Sequence, residues 1–366
     1  MKKLNKRLLF SFLAASFLMC NNAFAADEMS VNDSEKMNYS YMNNQVLAEG
    51  QSVQDVDAIN TLSLNSNSTA KDISAYISMS VRERQMEKMQ NKMADLDNDL
   101  VYEPINDTMP DLNVWARPYA SLEHVRTGQG KFEVQSWGVY TGMNSGLIEL
   151  GNGWDAVMGG YLGYNGAHVN RHDISIYENG GTIGFETMFL KDRFFTGFDI
   201  STGVMAGKLN IENIDWITIS YLSAGISNKT GYNWELADGK FIIQPYLVTG
   251  YSFAHQFERS KNGVEVEPST LHSGIIEPGI NFIGKFESGW QPYAGVSFVQ
   301  NLAKNDNIMM TYASMPDIAA RGFIKYGLGI RKNWSDRVGI NFQTFARNCG
   351  RYGIGFQGGL NVALGK

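Results

Sequence analysis

Residue types suited to catalysis or metal binding are sparse in this chain of 366 residues, which has five histidines and two cysteines. His168, His172 and Asp173 lie close together and could supply metal ligands. They fall in a predicted loop, where i, i+4 spacing does not turn two imidazoles to one side. By location alone, His172 and Asp173 are also candidates for the acid–base pair of a hydrolase at an outer rim. Gly353-Ile354-Gly355-Phe356-Gln357-Gly358 matches the dinucleotide fingerprint. That motif needs a following helix and an acidic residue about twenty positions on, and the sequence ends first. Walker A, G-x-S-x-G and H-E-x-x-H patterns are absent. Two cysteines exclude a Cys₄ zinc site and a disulfide-dense scaffold. The reading is therefore a non-enzyme without metal or cofactor.

A second set of charged residues recurs at alternate positions. Arg321, Lys325 and Arg331 share one face with Gly327 and Gly329, opposite Ile324, Tyr326, Leu328 and Ile330. Arg337, Asn341, Gln343 and Arg347 oppose Val338, Ile340 and Phe342. Asp199, with Gly197 and Ser201, opposes Phe194, Phe198, Ile200 and Val204. Glu186 and Glu277 take the polar face in the same way. Period-2 alternation marks strands with one apolar face. Glycine and charge on the other face suit the wall of a wet barrel lumen better than the solvent face of a sandwich.

Such a wall needs many strands of similar length. Alternation and turn chemistry give twelve, near 113–123, 133–146, 154–167, 177–190, 193–207, 216–235, 240–257, 270–285, 289–302, 319–332, 336–347 and 352–364. Tight connections carry turn residues, as in Leu150-Gly151-Asn152-Gly153, Lys191-Asp192 and Ala237-Asp238-Gly239. Longer ones lie between them, at 124–132, 168–176, 208–215, 258–269 and 303–318. Short turns on one rim and long loops on the other are the build of a bacterial outer-membrane barrel. The last hairpin, at Asn348–Arg351, is short where a long loop is expected. An even strand count puts both ends of the barrel on the short-turn rim. Trp154, Trp234, Trp290 and Trp334 sit near strand ends, where an aromatic girdle belongs.

The start of the chain sets the compartment. Lys2, Lys3, Lys6 and Arg7 precede an apolar run of 12 residues, Leu8 to Met19, too short for a transmembrane helix. Ala23-Phe24-Ala25 is a signal cleavage site before Ala26. Met19 is too bulky to precede a lipid-modified Cys20. Cleavage leaves Cys349 as the sole cysteine. Mean hydropathy of −0.24 excludes a bundle of membrane helices but not a barrel. The formal charge of −6 argues against a nucleic-acid binder.

Composition also divides the chain. Residues 26–112 hold 6 basic and 16 acidic residues, whereas 113–366 hold 21 of each. Gly50 is the single glycine before residue 113, and 37 follow. We place a boundary near Asp111. Residues 26–70, rich in Asn and Ser, lack a period and read as extended or disordered. Residues 71–98 read as helix: Met86, Met89, Met93, Leu96 and Leu100 step by 3, 4, 3 and 4. Charges of both signs cover the other faces, including Arg82, Glu83, Arg84, Glu87, Lys88, Lys92 and Asp95. A surface or coiled-coil helix would have this pattern, as would a helix inside a polar tunnel.

From Trp115-Ala116-Arg117-Pro118 onward, the sequence resembles the translocator β-domain of monomeric autotransporters, the type V secretion proteins. The likeness runs through Gly151-Asn152-Gly153-Trp154, Gly159-Gly160-Tyr161-x-Gly163-Tyr164, and Gly231-Tyr232 leading to Gln244-Pro245-Tyr246. The helix ending Asn91-Lys92-Met93-Ala94-Asp95-Leu96 resembles the family's pore-threading segment. The resemblance implies a twelve-stranded antiparallel outer-membrane barrel threaded by an N-terminal helix, exporting or anchoring the segment before it. It also implies a monomer in outer-membrane lipid of a Gram-negative cell, delivered by the Sec translocon and the barrel assembly machinery. Gln357, Gly359, Val362 and Leu364 resemble the β-signal read by that machinery, without the usual terminal aromatic. Two features depart from the family. Glu87-Lys88 stands where a self-cleaving subgroup has Asn-Asn, so that cleavage is not expected. Only 45 residues, 26–70, are left for a passenger. A porin-like barrel, or an adhesin using loops 258–269 and 303–318, is the alternative.

Alternation further predicts a lumen wall that is acidic at Glu186, Asp199 and Glu277 and basic at Arg321, Lys325, Arg331, Arg337 and Arg347. Arg82, Arg84, Lys88 and Lys92 of the helix would answer the first group, and Glu83, Glu87 and Asp95 the second.

Overall fold

The computed structural model describes residues 112–364, apart from short stretches at 128–129, 146–147, 172–173, 192, 212–213, 238–239, 258, 262–263, 267–268, 287–289, 302–303, 306–308, 311–312, 315–321, 334–337 and 350. The signal sequence with Ala25 and Ala26, the 26–70 segment and the 71–98 helix with Arg82, Arg84 and Glu87 lie outside the described residues.

Twelve strands form the wall: β1 (Leu112–Thr127), β2 (Gly130–Asn144), β3 (Trp154–Arg171), β4 (Ile174–Lys191), β5 (Phe194–Ile211), β6 (Ile214–Tyr232), β7 (Phe241–Gln256), β8 (Ser269–Gly284), β9 (Trp290–Asn301), β10 (Phe323–Asn333), β11 (Val338–Cys349) and β12 (Arg351–Leu364). Each pairs antiparallel with its sequence neighbours, and β12 pairs with β1. The sheet is therefore closed, and no strand edge faces lipid. The described residues contain no helix.

Register fixes the shape. Paired residues lead from Trp115 through Gly142, Tyr161, Gly184, Ser201, Gly225, Ser252 and Ser273. Extending the remaining registers to the seam returns the path to β1 fourteen positions further on. Twelve strands with that stagger tilt by about 40° on a backbone cylinder of radius about 12 Å. The closing register runs from Leu112↔Leu364 to Val125↔Arg351 and is interrupted at Arg117 and Pro118. Proline has no N–H to give to a ladder there.

Leu112 and Leu364 place both ends of the barrel on the short-turn rim. The β2–β3 connection carries a short strand, Ile148–Gly151, and turns through Gly151, Asn152 and Gly153, all at positive φ. Nothing lies within 4 Å of a Cβ built on either glycine, so backbone conformation rather than space calls for them. The opposite rim is uneven. Strands β1–β8 are 15–19 residues long and β9–β12 are 11–14. The expected loops at 124–132, 168–176 and 208–215 are instead mostly strand, joined by two-residue connections at 128–129, 172–173 and 212–213. His168 accordingly sits on β3 rather than in a loop, its ring stacked on Tyr177 at 3.9 Å. The loop at 258–269 contains a small hairpin, Arg259–Lys261 with Val264–Val266. The short last hairpin stands as expected, with Cys349 at φ 80°.

The outer face carries large exposed apolar side chains, among them Leu122, Leu162, Ile183, Ile200 and Leu328. This is the lipid-facing band of a membrane barrel. Trp234 and Trp290 are exposed near the short-turn rim, and Trp154 meets Phe194 edge-on. Trp334 lies outside the described residues. Inside, rings lie flat over glycines of the next strand. A Cβ on Gly163, Gly184, Gly279 or Gly329 would collide with the ring of Tyr140, Tyr161, Tyr246 or Tyr293, each its register partner.

Candidate functional site: the barrel lumen

Alternation turns one side chain in two inward, and the tilt staggers them into diagonal rows. Glu186, Asp199, Glu277 and Arg331 all project into the lumen and are buried there. Arg321 and Arg337 lie outside the described residues. Arg117, Glu123, Glu178 and Lys229 are further buried lumen charges that sequence reading missed. The alternation that includes Trp115 and Tyr119 was the available signal for Arg117 and Glu123.

Acidic and basic arcs are joined within the wall. Lys325 on β10 lies 3.5 Å from Glu277 on β8. Arg347 on β11 donates to Glu123 on β1. Arg117 covers the Trp115 ring at 4.8 Å, and Lys229 covers Tyr246 at 4.6 Å. The lumen cations thus have partners in the wall, which the simple two-arc picture did not include.

A hydrogen-bonded belt crosses β1 to β5. Tyr119 and Tyr140 both donate to Asn165 Oδ1 at 2.6 Å, and Asn165 donates to Thr182 at 2.8 Å. Tyr161 donates to Asp199 at 2.9 Å, beside Glu186, the register partner of Asp199. The rings themselves meet: Tyr119 stacks on Tyr140 at 5.6 Å, and Tyr161 stands edge-on to Tyr140 at 5.8 Å. These contacts merge with an apolar cluster of Trp115, Tyr140, Val157, Tyr161, Met188, Leu190, Phe195, Tyr246, Val248 and Ile275. The lumen is not a uniformly polar tunnel; part of its wall is apolar.

Among the described residues, no three His, Cys, Asp or Glu lie close enough to hold a metal ion. His168 is on the wall, and His172 and Asp173 lie outside the described residues. Gly353, Gly355 and Gly358 lie on β12, so the fingerprint match is part of a strand. The arrangement is a charged, partly apolar passage through a closed barrel.

The family model for the autotransporter β-domain matches residues 114–344. This chain belongs to the autotransporter β-domain family. Solved autotransporter barrels share the fold. The β-domain of the Bordetella autotransporter BrkA superposes with a TM-score of 0.58 at 16% identity, over 69% of this chain and 99% of that one. The transport unit of AIDA-I from Escherichia coli gives 0.56 at 13% identity, over 74% and 96%. The translocator domain of NalP from Neisseria meningitidis gives 0.54 at 11% identity, over 78% and 98%. No curated protein sequence matches. The chain is an outer-membrane β-barrel of the autotransporter translocator type, the type V secretion class, found in Gram-negative cells.

Proposed function

We propose that this barrel exports its own N-terminal segment, displays residues 26–70 at the cell surface, and retains residues 71–98 in its lumen. The observation that carries the reading is the place of Leu112. The chain joins the wall at the short-turn, periplasmic rim, paired with Leu364, at the mouth of a passage lined with charge. Backbone cannot cross hydrocarbon unpaired, so the passage is the route outward. A wall carrying Glu186, Asp199, Glu277 and Arg331 supports a charged occupant. Arg82, Arg84, Lys88 and Lys92 would face the carboxylates, and Glu87 the basic arc that also includes Arg321 and Arg337.

The working divisions are a signal at 1–25 cut between Ala25 and Ala26, a passenger-like segment at 26–70, the lumen helix with its linker at 71–112, and the barrel beyond. Delivery falls to the Sec translocon and insertion to the barrel assembly machinery, which would read Gln357, Gly359, Val362 and Leu364. On β12, Gln357 is buried toward the lumen and Leu364 is exposed on the lipid side, as a strand signal requires. The barrel acts as a monomer, needing no partner to close because one chain supplies both strands of its seam, and it performs no catalysis. With Glu87-Lys88 at the junction, the exported segment stays attached.

The experiment is a tag at residue 40, labelled with an impermeant reagent on intact cells, beside conductance of the intact chain and of a 71–98 deletion. We expect label at the tag and a several-fold rise in conductance on deletion. An unlabelled tag with the barrel in the outer membrane overturns export. A large conductance in the intact chain favours the porin-like alternative.

A further inference from the structure

The apolar arc of the lumen has no part in a purely electrostatic hold. We propose that this arc, centred on Trp115, Tyr140, Tyr161, Phe195 and Tyr246, is the seat for the apolar stripe Met86, Met89, Met93, Leu96 and Leu100. The inference rests on the reading that residues 71–98 occupy the lumen, and adds which wall holds them and by what chemistry.

Height matches. The arc begins one residue inside the short-turn rim, at Leu190 and Phe195, and reaches Ile275, nine residues from the inner end of β8. With strands tilted about 40°, that is about 20 Å along the axis. The stripe from Met86 to Leu100 covers about 21 Å as helix. Eleven residues, 101–111, join it to Leu112 at that same rim. They reach any point on a mouth of about 12 Å radius, because an extended residue spans up to about 3.3 Å.

Chemistry matches as well. Thioether sulfur makes favourable contacts with aromatic rings, and Met adapts to an uneven surface. The side chains of the arc are only 0–9% exposed, so what a neighbour adds there is close packing rather than fresh coverage. The opposite arc offers less. Arg347 is engaged by Glu123 and Lys325 by Glu277, so part of its charge is answered within the wall. Arg117 over Trp115 and Lys229 over Tyr246 and Phe195 bring positive charge onto the arc itself. Glu83, which flanks the stripe on the predicted helix, suits that charge.

The test places the photo-cross-linker p-benzoylphenylalanine at Tyr161, at Phe195 or at Gln343, the last on the lumen face of β11 across from β5. Cells are irradiated and the captured peptide is identified by mass spectrometry. Capture of residues 82–100 from Tyr161 and Phe195 but not from Gln343 is the expected result. Equal or greater capture from Gln343 overturns the apolar seat and leaves the lumen reading standing. Absence of capture from all three sites overturns both. A second arm needs no wall substitution. Met86→Ser, Met89→Ser and Met93→Ser together should raise conductance several-fold in low and in high salt. Unchanged conductance overturns the proposal.

Discussion

Arg347 on β11 donates a hydrogen bond to Glu123 on β1 directly across Gly353 of β12, which is the register partner of both. The pair ties together the strands on either side of the last one. A Cβ on Gly353 would stand 2.6 Å from the Glu123 Cα and 2.7 Å from its Cγ. Both charged side chains are buried, so removing one partner leaves an uncompensated charge, at a cost of about 3–5 kcal/mol. Glu123→Gln should lower the temperature at which the folded, fast-migrating gel band is lost, and Gly353→Val should do so more severely. The exchanged pair, Glu123→Arg with Arg347→Glu, should recover part of the loss. Equal heat stability of Glu123→Gln and the parent would show that the seam does not use this contact.

Tyr161 is held at both ends, by Gly184 beneath its ring and by Asp199 at its hydroxyl. Tyr161→Phe keeps the ring and should cost about 1–3 kcal/mol through the buried acceptor. Gly184→Val displaces the ring and should reduce the yield of folded barrel. Urea titration of the refolded barrel in detergent ranks the two. A milder Gly184→Val would mean that ring seating is unimportant.

Strand number and the inward placement of Glu186, Asp199, Glu277 and Arg331 were legible because period 2 is strongest where one face meets lipid. The outer ends of β3 to β6 were not. There His168, Asn170 and Ser175 stand at outward positions that are not apolar. Alternation fades, and the segment reads as loop. The apolar arc was hidden for the opposite reason. Phe194 and Phe195, or Phe189 and Leu190, are apolar on both faces, so period 2 does not say which of them points inward. Glycine on the lumen face was visible, but its purpose was not. That purpose appears only once register sets Tyr140 against Gly163 and Tyr161 against Gly184.

Leu328 is the middle residue of β10 and is 62% exposed on the outer face. A charge there meets the bilayer midplane. Leu328→Arg should destabilise the barrel by about 2–4 kcal/mol, whereas Gln343→Arg on the lumen face should be tolerated. Folding titrations into lipid vesicles measure both. Similar losses for the two would contradict the assignment of faces.

Arg331 is a buried lumen cation near the short-turn rim, and Arg337 follows it in sequence. Each exposed-type ion pair contributes only about 0.2–1 kcal/mol and is screened by salt. Reversing both to Glu should raise conductance at low salt and leave it near the parent at high salt. Single-channel recording at two ionic strengths separates this from the salt-independent rise expected of the Met-to-Ser variant. Parent-like conductance at both strengths would remove the electrostatic part of the hold.

The unequal strand lengths give the passage a slanted exit. With the short-turn rim level, the wall of β9–β12 stops about 15–20 Å below the top of β5 and β6. Among the described strands the mouth is therefore a spout, not a collar. A chain leaving by it would clear the low lip first, on the side of β9–β12. The tall arc of β1–β8 screens it on the other flank. The long β9–β10 connection springs from that same low lip, so whatever emerges passes next to it.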